Sequence, residues 1–332
     1  TLVHAATRLL PPRVRAEYVT RTDLIDLVLA PEARLVVATG PAGSGKSTLL
    51  AQAYEASDDA VWLSIESLDD DPAALWSALI DSTAGTVPGF GEAYRPRRDG
   101  GGAEAVDGIT ALFANEVGDT GRPNRFFLDD LHHLSGERSI ASLHRLLGQL
   151  PPGSCMVIAS REALPFPLGR LRIDRAVVER GPDEVAMDAA DVRTALAAVG
   201  VDADADQIEA LVTRTEGWVA GVAWATLTLQ ANPDPAALVE TVNTVDGDLS
   251  GYLIEEVLEQ RTPALRAFML DTSILARFNA ALCDELRGCH DSRALIDELD
   301  RTHSFLVPLD RQGEWFRYHH LVHDMLAARL EH

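Results

Sequence analysis

The sequence predicts an α/β domain, a parallel sheet with helices on both faces, followed by an all-α region and a winged helix. Three observations carry this expectation. Apolar, β-branched runs alternate with helical spacing up to about residue 180. From Asp188 onward helical spacing continues through five segments with no strand between them. Three short helices, a hairpin and a last helix then close the chain, which is the order of a winged helix.

Residues 1–33 lead in, with Leu10-Pro11-Pro12 extended and Leu24, Leu27 and Val28 in a short helical pattern. Leu35-Val36-Val37-Ala38 then reads as a buried strand. It turns through Gly40-Pro41-Ala42-Gly43-Ser44-Gly45 into Lys46-Ser47-Thr48 and a helical face of Leu49, Leu50 and Ala53. Strand, glycine-rich loop, Lys-Ser, helix is the P-loop pattern in its required context. The glycines let backbone N–H groups turn toward a phosphate chain, and the helix N-terminus adds partial positive charge. Lys46 is placed for the β/γ-phosphates and the Ser47 hydroxyl for Mg²⁺. A P-loop NTPase sheet is expected, binding a nucleoside triphosphate.

Ala60–Ile65 continues the sheet, and Asp71-Pro72 starts a helix with proline in the first turn. A glycine-rich loop and a helix near Ala105–Val117 follow. Arg125-Phe126-Phe127-Leu128-Asp129-Asp130 is an apolar strand ending in two carboxylates. Beside a P-loop, Asp129 is assigned to the metal and Asp130 to the attacking water. Met156-Val157-Ile158-Ala159 is the next strand, and Arg161 at its tip is a candidate for the γ-phosphate. The expected helices beyond are Asp188–Val199, Asp206–Thr215, Trp218–Gln230, Pro235–Val245 and Leu249–Gln260, with Asp188, Asp206 and Pro235 as start residues. Pro263–Leu275, Ala280–Arg287 and Ser292–Arg301 are the winged-helix helices. Phe305–Leu309 and Glu314–Tyr318 flank the turn Asp310-Arg311-Gln312-Gly313, and Leu321–Leu330 is the last helix. The expected domains are 1–180, 181–245 and 246–332.

Composition narrows the partners. At 332 residues, 46% hydrophobic and 24% charged, the chain is an ordinary globular sequence of two or three domains. No apolar run approaches the roughly 20 residues that span a bilayer. Thr1, without a signal peptide, suggests a trimmed chain, and three sparse cysteines (Cys155, Cys283, Cys289) fit a reducing cytoplasm. The net charge of −22 disfavours nucleic acid, and Arg95-Pro96-Arg97-Arg98 lies in a glycine-rich stretch. From Asp291 to Arg301, four acids (Asp291, Asp297, Glu298, Asp300) against Arg293 and Arg301 leave −2. A helix for a DNA groove should be basic, so this winged helix is expected to pack against protein.

With these residues in view, the chain resembles the ATPase module of the large ATP-binding LuxR-type (MalT-like) transcription regulators, a branch of the STAND signal-transduction ATPases. The blocks are Leu10-Pro11-Pro12 with Arg21, the P-loop, Leu128-Asp129-Asp130 and Ala159-Ser160-Arg161. Then come Arg214-Thr215-Glu216-Gly217-Trp218-Val219-Ala220-Gly221, Tyr252–Leu258, and Trp315-Phe316-Arg317-Tyr318-His319-His320-Leu321. The resemblance implies an ADP-bound closed resting state and an ATP-bound state that self-assembles, reset by slow hydrolysis. An inducer would act through a sensor region absent from these residues. It also implies that His319 touches the ADP β-phosphate and that Tyr18, Val19 and Arg21 lie on the adenine side. Gly217-Trp218-Val219 would be the helical-domain contact, although Val219 stands where related proteins often carry proline. Neither a superhelical repeat array nor a basic helix-turn-helix follows in this sequence.

Rival chemistries leave weaker marks. His319 and His323 share a helix face at i, i+4 with Asp324 adjacent, as zinc ligands do, but a metalloprotease would need Glu at the position of His320. Cys283, Cys289 and His290 lack a closely spaced fourth ligand, and His132-His133 follow the two carboxylates without a motif of their own. An AAA+-like motor with continuous turnover would need an arginine finger, for which Arg170 and Arg172 are candidates. A small-molecule kinase would need an acceptor site that the sequence does not display.

Overall fold

The computed structural model describes residues 6–92, 103–120, 125–231, 251, 254–303, 305–310 and 312–330. The chain divides into two compact units: Thr1–Arg15, Thr20–Gly40 and Lys46–Gly181 form the first, and Ala16–Val19, Pro41–Gly45 and Pro182–His332 the second.

The first unit is built on five parallel strands in the order β2-β3-β4-β1-β5: β1 Leu35–Thr39, β2 Ala60–Ser64, β3 Arg125–Asp129, β4 Cys155–Ser160 and β5 Val177–Arg180. Side chains alternate along a strand, so a sheet covered on both faces is apolar at every position. Leu35 and Val37 of β1 join one buried cluster with Leu63, Trp76, Phe113, Phe126 and Ile158. Val36 and Ala38 join the opposite one with Val28, Leu50, Trp62, Phe127 and Val157. The helices are α1 Thr22–Val28, α2 Lys46–Glu55, α3 Pro72–Thr86, α4 Ala103–Asp119, α5 Glu137–Gln149 and α6 Gly169–Ile173. Asp71 caps α3 by accepting from Ala73 N, with Pro72 at the first helical position. β5 has no counterpart among the expected strands; its half-buried Val177 and Val178 are followed at once by Glu179 and Arg180, too short an apolar run to stand out.

The second unit carries α7 Pro182–Val185, α8 Ala189–Ala198, α9 Ala205–Thr215 and α10 Val219–Ala231. Val192, Leu196, Ile208, Leu211, Val222 and Leu229 close the core of these helices. Asp188 caps α8 as expected. The expected start at Asp206 is corrected: Asp204 caps α9, because its carboxylate accepts from Gln207 N while Gln207 reaches back to Asp204 N. Pro235–Val245 and Arg95–Arg98 lie outside the described residues, as does most of Leu249–Gln260, of which Ile254–Glu259 forms a π-helix.

The winged helix comprises α11 Pro263–Thr272, α12 Ala280–Arg287, α13 Ser292–Arg301, the antiparallel strands β6 Leu306–Pro308 and β7 Phe316–Tyr318, and α14 His320–Leu330. Phe268, Phe278, Ile296, Phe316, Tyr318, Leu321 and Leu326 form its core together with Trp218. The Tyr318 hydroxyl meets Thr272 Oγ1 at 2.7 Å inside it. Asp310 builds the hairpin turn by accepting from the amides of Gln312, Glu314 and Trp315.

Candidate nucleotide site

In the first unit, the expected phosphate and metal residues converge where β1, β3 and β4 end. β1 delivers Gly40, whose amide donates to Ser160 O at the tip of β4. Lys46 opens α2, is 6% exposed, and donates from Nζ to Gly40 O at 2.8 Å. Burial first, and Arg161 second, depress its pKa to about 8 against the pull of Asp130 and Asp129. Ser47 Oγ donates to Asp129 Oδ1 at 3.0 Å, and the Asp130 amide donates to the same oxygen. Burial, then Asp130, raises the Asp129 pKa to about 6. A buried carboxylate already paired with a hydroxyl is a hard oxygen donor set, and it fits Mg²⁺. Thr48 follows on α2, half-buried.

Asp130 leaves β3 in the left-handed region, φ 56°, which ends the strand and turns its half-exposed carboxylate out of the sheet register. Arg161 follows β4 and acts electrostatically on both Lys46 and His132, so it belongs to the same cluster of charges. The His132 ring is held neutral, its pKa pushed down to about 3 by burial first and then by His133, Arg161 and Lys46. Its Nδ1 is buried without a hydrogen-bond partner, 3.9 Å from Asp130 Oδ1.

In the second unit, the middle of the P-loop, Pro41–Gly45, clusters with Ala16–Val19 and with the helical and winged-helix segments. Tyr18 and Val19 thus fall with this unit and Arg21 with the first. Gly217 sits at φ 68° with Met187 so close that a Cβ would lie 2.4 Å from its carbonyl oxygen, so the approach of the segment between α7 and α8 to the turn after α9 requires glycine here.

Three consecutive residues at the end of α9 bond the winged helix. Arg214 pairs with Asp324. Glu216 accepts both guanidinium nitrogens of Arg317, at 2.8 and 2.9 Å, and also the His320 amide. Burial works to raise the Glu216 pKa, and the Arg317 bond with its neighbouring donors holds it low nevertheless. Between them, His319 Nε2 meets Thr215 O at 2.8 Å while Nδ1 accepts from Leu321 N at 3.3 Å. An Nδ1 acceptor leaves the proton on Nε2, so the neutral ring donates to Thr215, and burial lowers its pKa. The zinc reading of this segment finds no support: among the described residues no group of three or more His, Cys, Asp or Glu side chains could hold a metal.

Residues 254–332 match the MalT winged helix domain family. A serine/threonine-protein kinase PknK of Mycobacterium tuberculosis is 29% identical over 332 residues, covering 98% of this chain and 30% of that protein. The HTH-type transcriptional regulator MalT of Vibrio parahaemolyticus is 28% identical over 322 residues, covering 93% of the chain and 35% of the regulator. A Walker-type ATPase of Pyrococcus abyssi shares the fold with a TM-score of 0.64 at 14% identity, over 95% of this chain and 98% of that one. The chain thus has a Walker-type ATPase fold, is similar to MalT regulators over most of its length, and ends in a segment that matches the MalT winged helix. It spans about a third of the length of the curated relatives it matches, so their names describe proteins much longer than this module.

Two features of this chain were not read from sequence. The Arg214-Thr215-Glu216 block and the Arg317–Asp324 block are halves of one set of bonds, and their complementary charges were the available signal. The orphaned Nδ1 of His132 was out of reach, because only packing shows that the ring is buried.

Proposed function

We propose that this module is an ATP/ADP-binding switch of a MalT-like transcription regulator, holding ADP at rest and self-assembling with ATP. The observation that carries the reading is that the middle of the P-loop packs as part of the helical and winged-helix unit. Whatever occupies the loop then bears on that unit's conformation, and a ligand with unequal affinity for two conformations shifts their balance. Lys46 and the loop residues 40–45 bind the phosphates, Ser47 and Asp129 hold Mg²⁺, and Thr48 supports the loop at the start of α2. Asp130 orients the attacking water, Arg161 meets the γ-phosphate, and hydrolysis is a slow reset. Tyr18, Val19, Arg21 and Gly217 border the nucleoside. His319 completes the ADP site by exchanging its Thr215 partner for a β-phosphate oxygen. The site of action is the cytoplasm, the partners are further copies of the protein and an inducer sensed elsewhere, and neither DNA nor a membrane is bound by this module.

The motor reading stays second. Arg172 is engaged bidentately by Glu179, which leaves Arg170, 95% exposed on its side chain, as the finger candidate. Steady-state turnover separates the two. The switch predicts slow hydrolysis with tightly retained ADP, and fast continuous turnover by the wild-type chain would favour the motor.

A further inference from the structure

We propose that Trp218 is a positioning residue for the phosphate loop, its indole N–H and the Ala220 amide together setting the peptide orientation of Ala42-Gly43-Ser44. The inference rests on the reading of this loop as a nucleotide site. Within the second unit, Trp218 Nε1 donates to Ala42 O and Ala220 N donates to Gly43 O, each at 2.9 Å. A trans peptide sets its N–H opposite its C=O. Holding these two oxygens therefore turns the N–H groups of Gly43 and Ser44 the other way, as a loop that offers amides to an anion requires. Ser44 N leans on Pro41 O at 3.4 Å, a long bond that a phosphate oxygen can replace.

The approach is as close as the backbone permits. A Cβ on Gly43 would lie 2.7 Å from Ala220 Cβ and 3.0 Å from the Trp218 ring, and one on Gly45 would lie 3.1 Å from Val219 Cγ2. Both glycines also have positive φ, 70° and 84°. The positioning group is itself immobilised. Trp218 is 5% exposed, and its ring meets Phe305 edge-on at 5.3 Å and His319 at 6.2 Å. Its rotamer is thus locked by the winged-helix core, and a locked donor holds a loop more tightly than a mobile one. The competing explanation is a core tryptophan whose N–H merely found a partner.

Calorimetric titration of ADP into nucleotide-stripped wild type, Trp218→Phe, Trp224→Phe and Lys46→Ala tests this. Trp218→Phe keeps an aromatic body and removes the donor; Trp224→Phe removes an indole that packs in the same unit with no bond to the loop. One lost neutral hydrogen bond should weaken ADP about 3- to 10-fold in Trp218→Phe. Trp224→Phe should leave it near wild type, with the two unfolding midpoints alike. Unchanged ADP affinity in Trp218→Phe, or equal weakening in both tryptophan variants, overturns the proposal. Should Trp218→Phe not fold, Gly43→Ala keeps the indole and displaces the loop by setting a methyl against Ala220 and the Trp218 ring. At least a 10-fold loss with a near-native midpoint is expected there, and wild-type affinity overturns the proposal. Lys46→Ala tests the underlying reading separately: ADP bound as tightly as in wild type would remove the nucleotide site itself.

Discussion

Lys46 and Asp129 are both buried against the preference of their charges, in opposite senses, and in their proposed roles this gives a pH window for nucleotide binding. Phosphate binding needs the ammonium. Because the free pKa is near 8 and bound phosphate raises it, affinity falls as pH climbs above about 8, by up to about tenfold per unit. Mg²⁺ binding needs the carboxylate, so protonation of Asp129 opposes the metal as pH falls through about 6. Titrating Mg–ADP from pH 5 to pH 9 should give a plateau between these limits, and a flat profile across the range would contradict both assignments. Asp130 is one cause of the raised Asp129 pKa. Asp130→Asn should therefore move the acid limb to lower pH while retaining ATP and slowing hydrolysis. If that variant lost ATP binding and Asp129→Asn kept it, the two carboxylate roles would be exchanged. The P-loop, Asp129 and Asp130 were legible in sequence because each follows an apolar strand run. His132 was not, because its isolation depends on side chains from elsewhere in the fold.

At the scale of elements, the end of α9 and the winged helix are joined by two ion pairs and a histidine. The bidentate Glu216–Arg317 pair is partly buried, so a double-mutant cycle through Glu216→Gln and Arg317→Ala should return about 1–2 kcal/mol of coupling. A coupling near zero would make the pair incidental. His319→Ala distinguishes a phosphate latch from a structural tie. Loss of a β-phosphate contact should weaken ADP about 10- to 100-fold and ATP much less. Equal weakening of both ligands would leave His319 only its bond to Thr215. Many helix bounds were legible from spacing and caps, as Asp71 and Asp188 show, while α5, α6 and α7 were not among the expected helices. Nor were β5 and the true cap of α9 legible. The first is an edge strand with only two valines, and the second had Asp202, Asp204 and Asp206 as competing caps within five residues.

At the scale of the whole molecule, 51 acidic against 29 basic residues and an α13 that carries −2 with its cap argue against a nucleic-acid partner. Arg293 of that helix is further engaged by Asp297 at 2.8 Å. A fluorescence-anisotropy titration with duplex DNA in about 150 mM salt should show no sub-micromolar binding. Such binding would restore the winged helix as a DNA reader. The three-layer α/β architecture and the winged helix were readable because strand and helix periods differ. The grouping of Pro41–Gly45 with the second unit was not, since it arises from contacts more than 170 positions away. That grouping carries the proposed switch, and the nucleotide retained by the protein tests the proposal most directly. Denaturing the freshly purified chain and separating the released nucleotides should recover ADP in near-equimolar amount. Recovery of no adenine nucleotide, together with rapid continuous ATP turnover, would contradict the account.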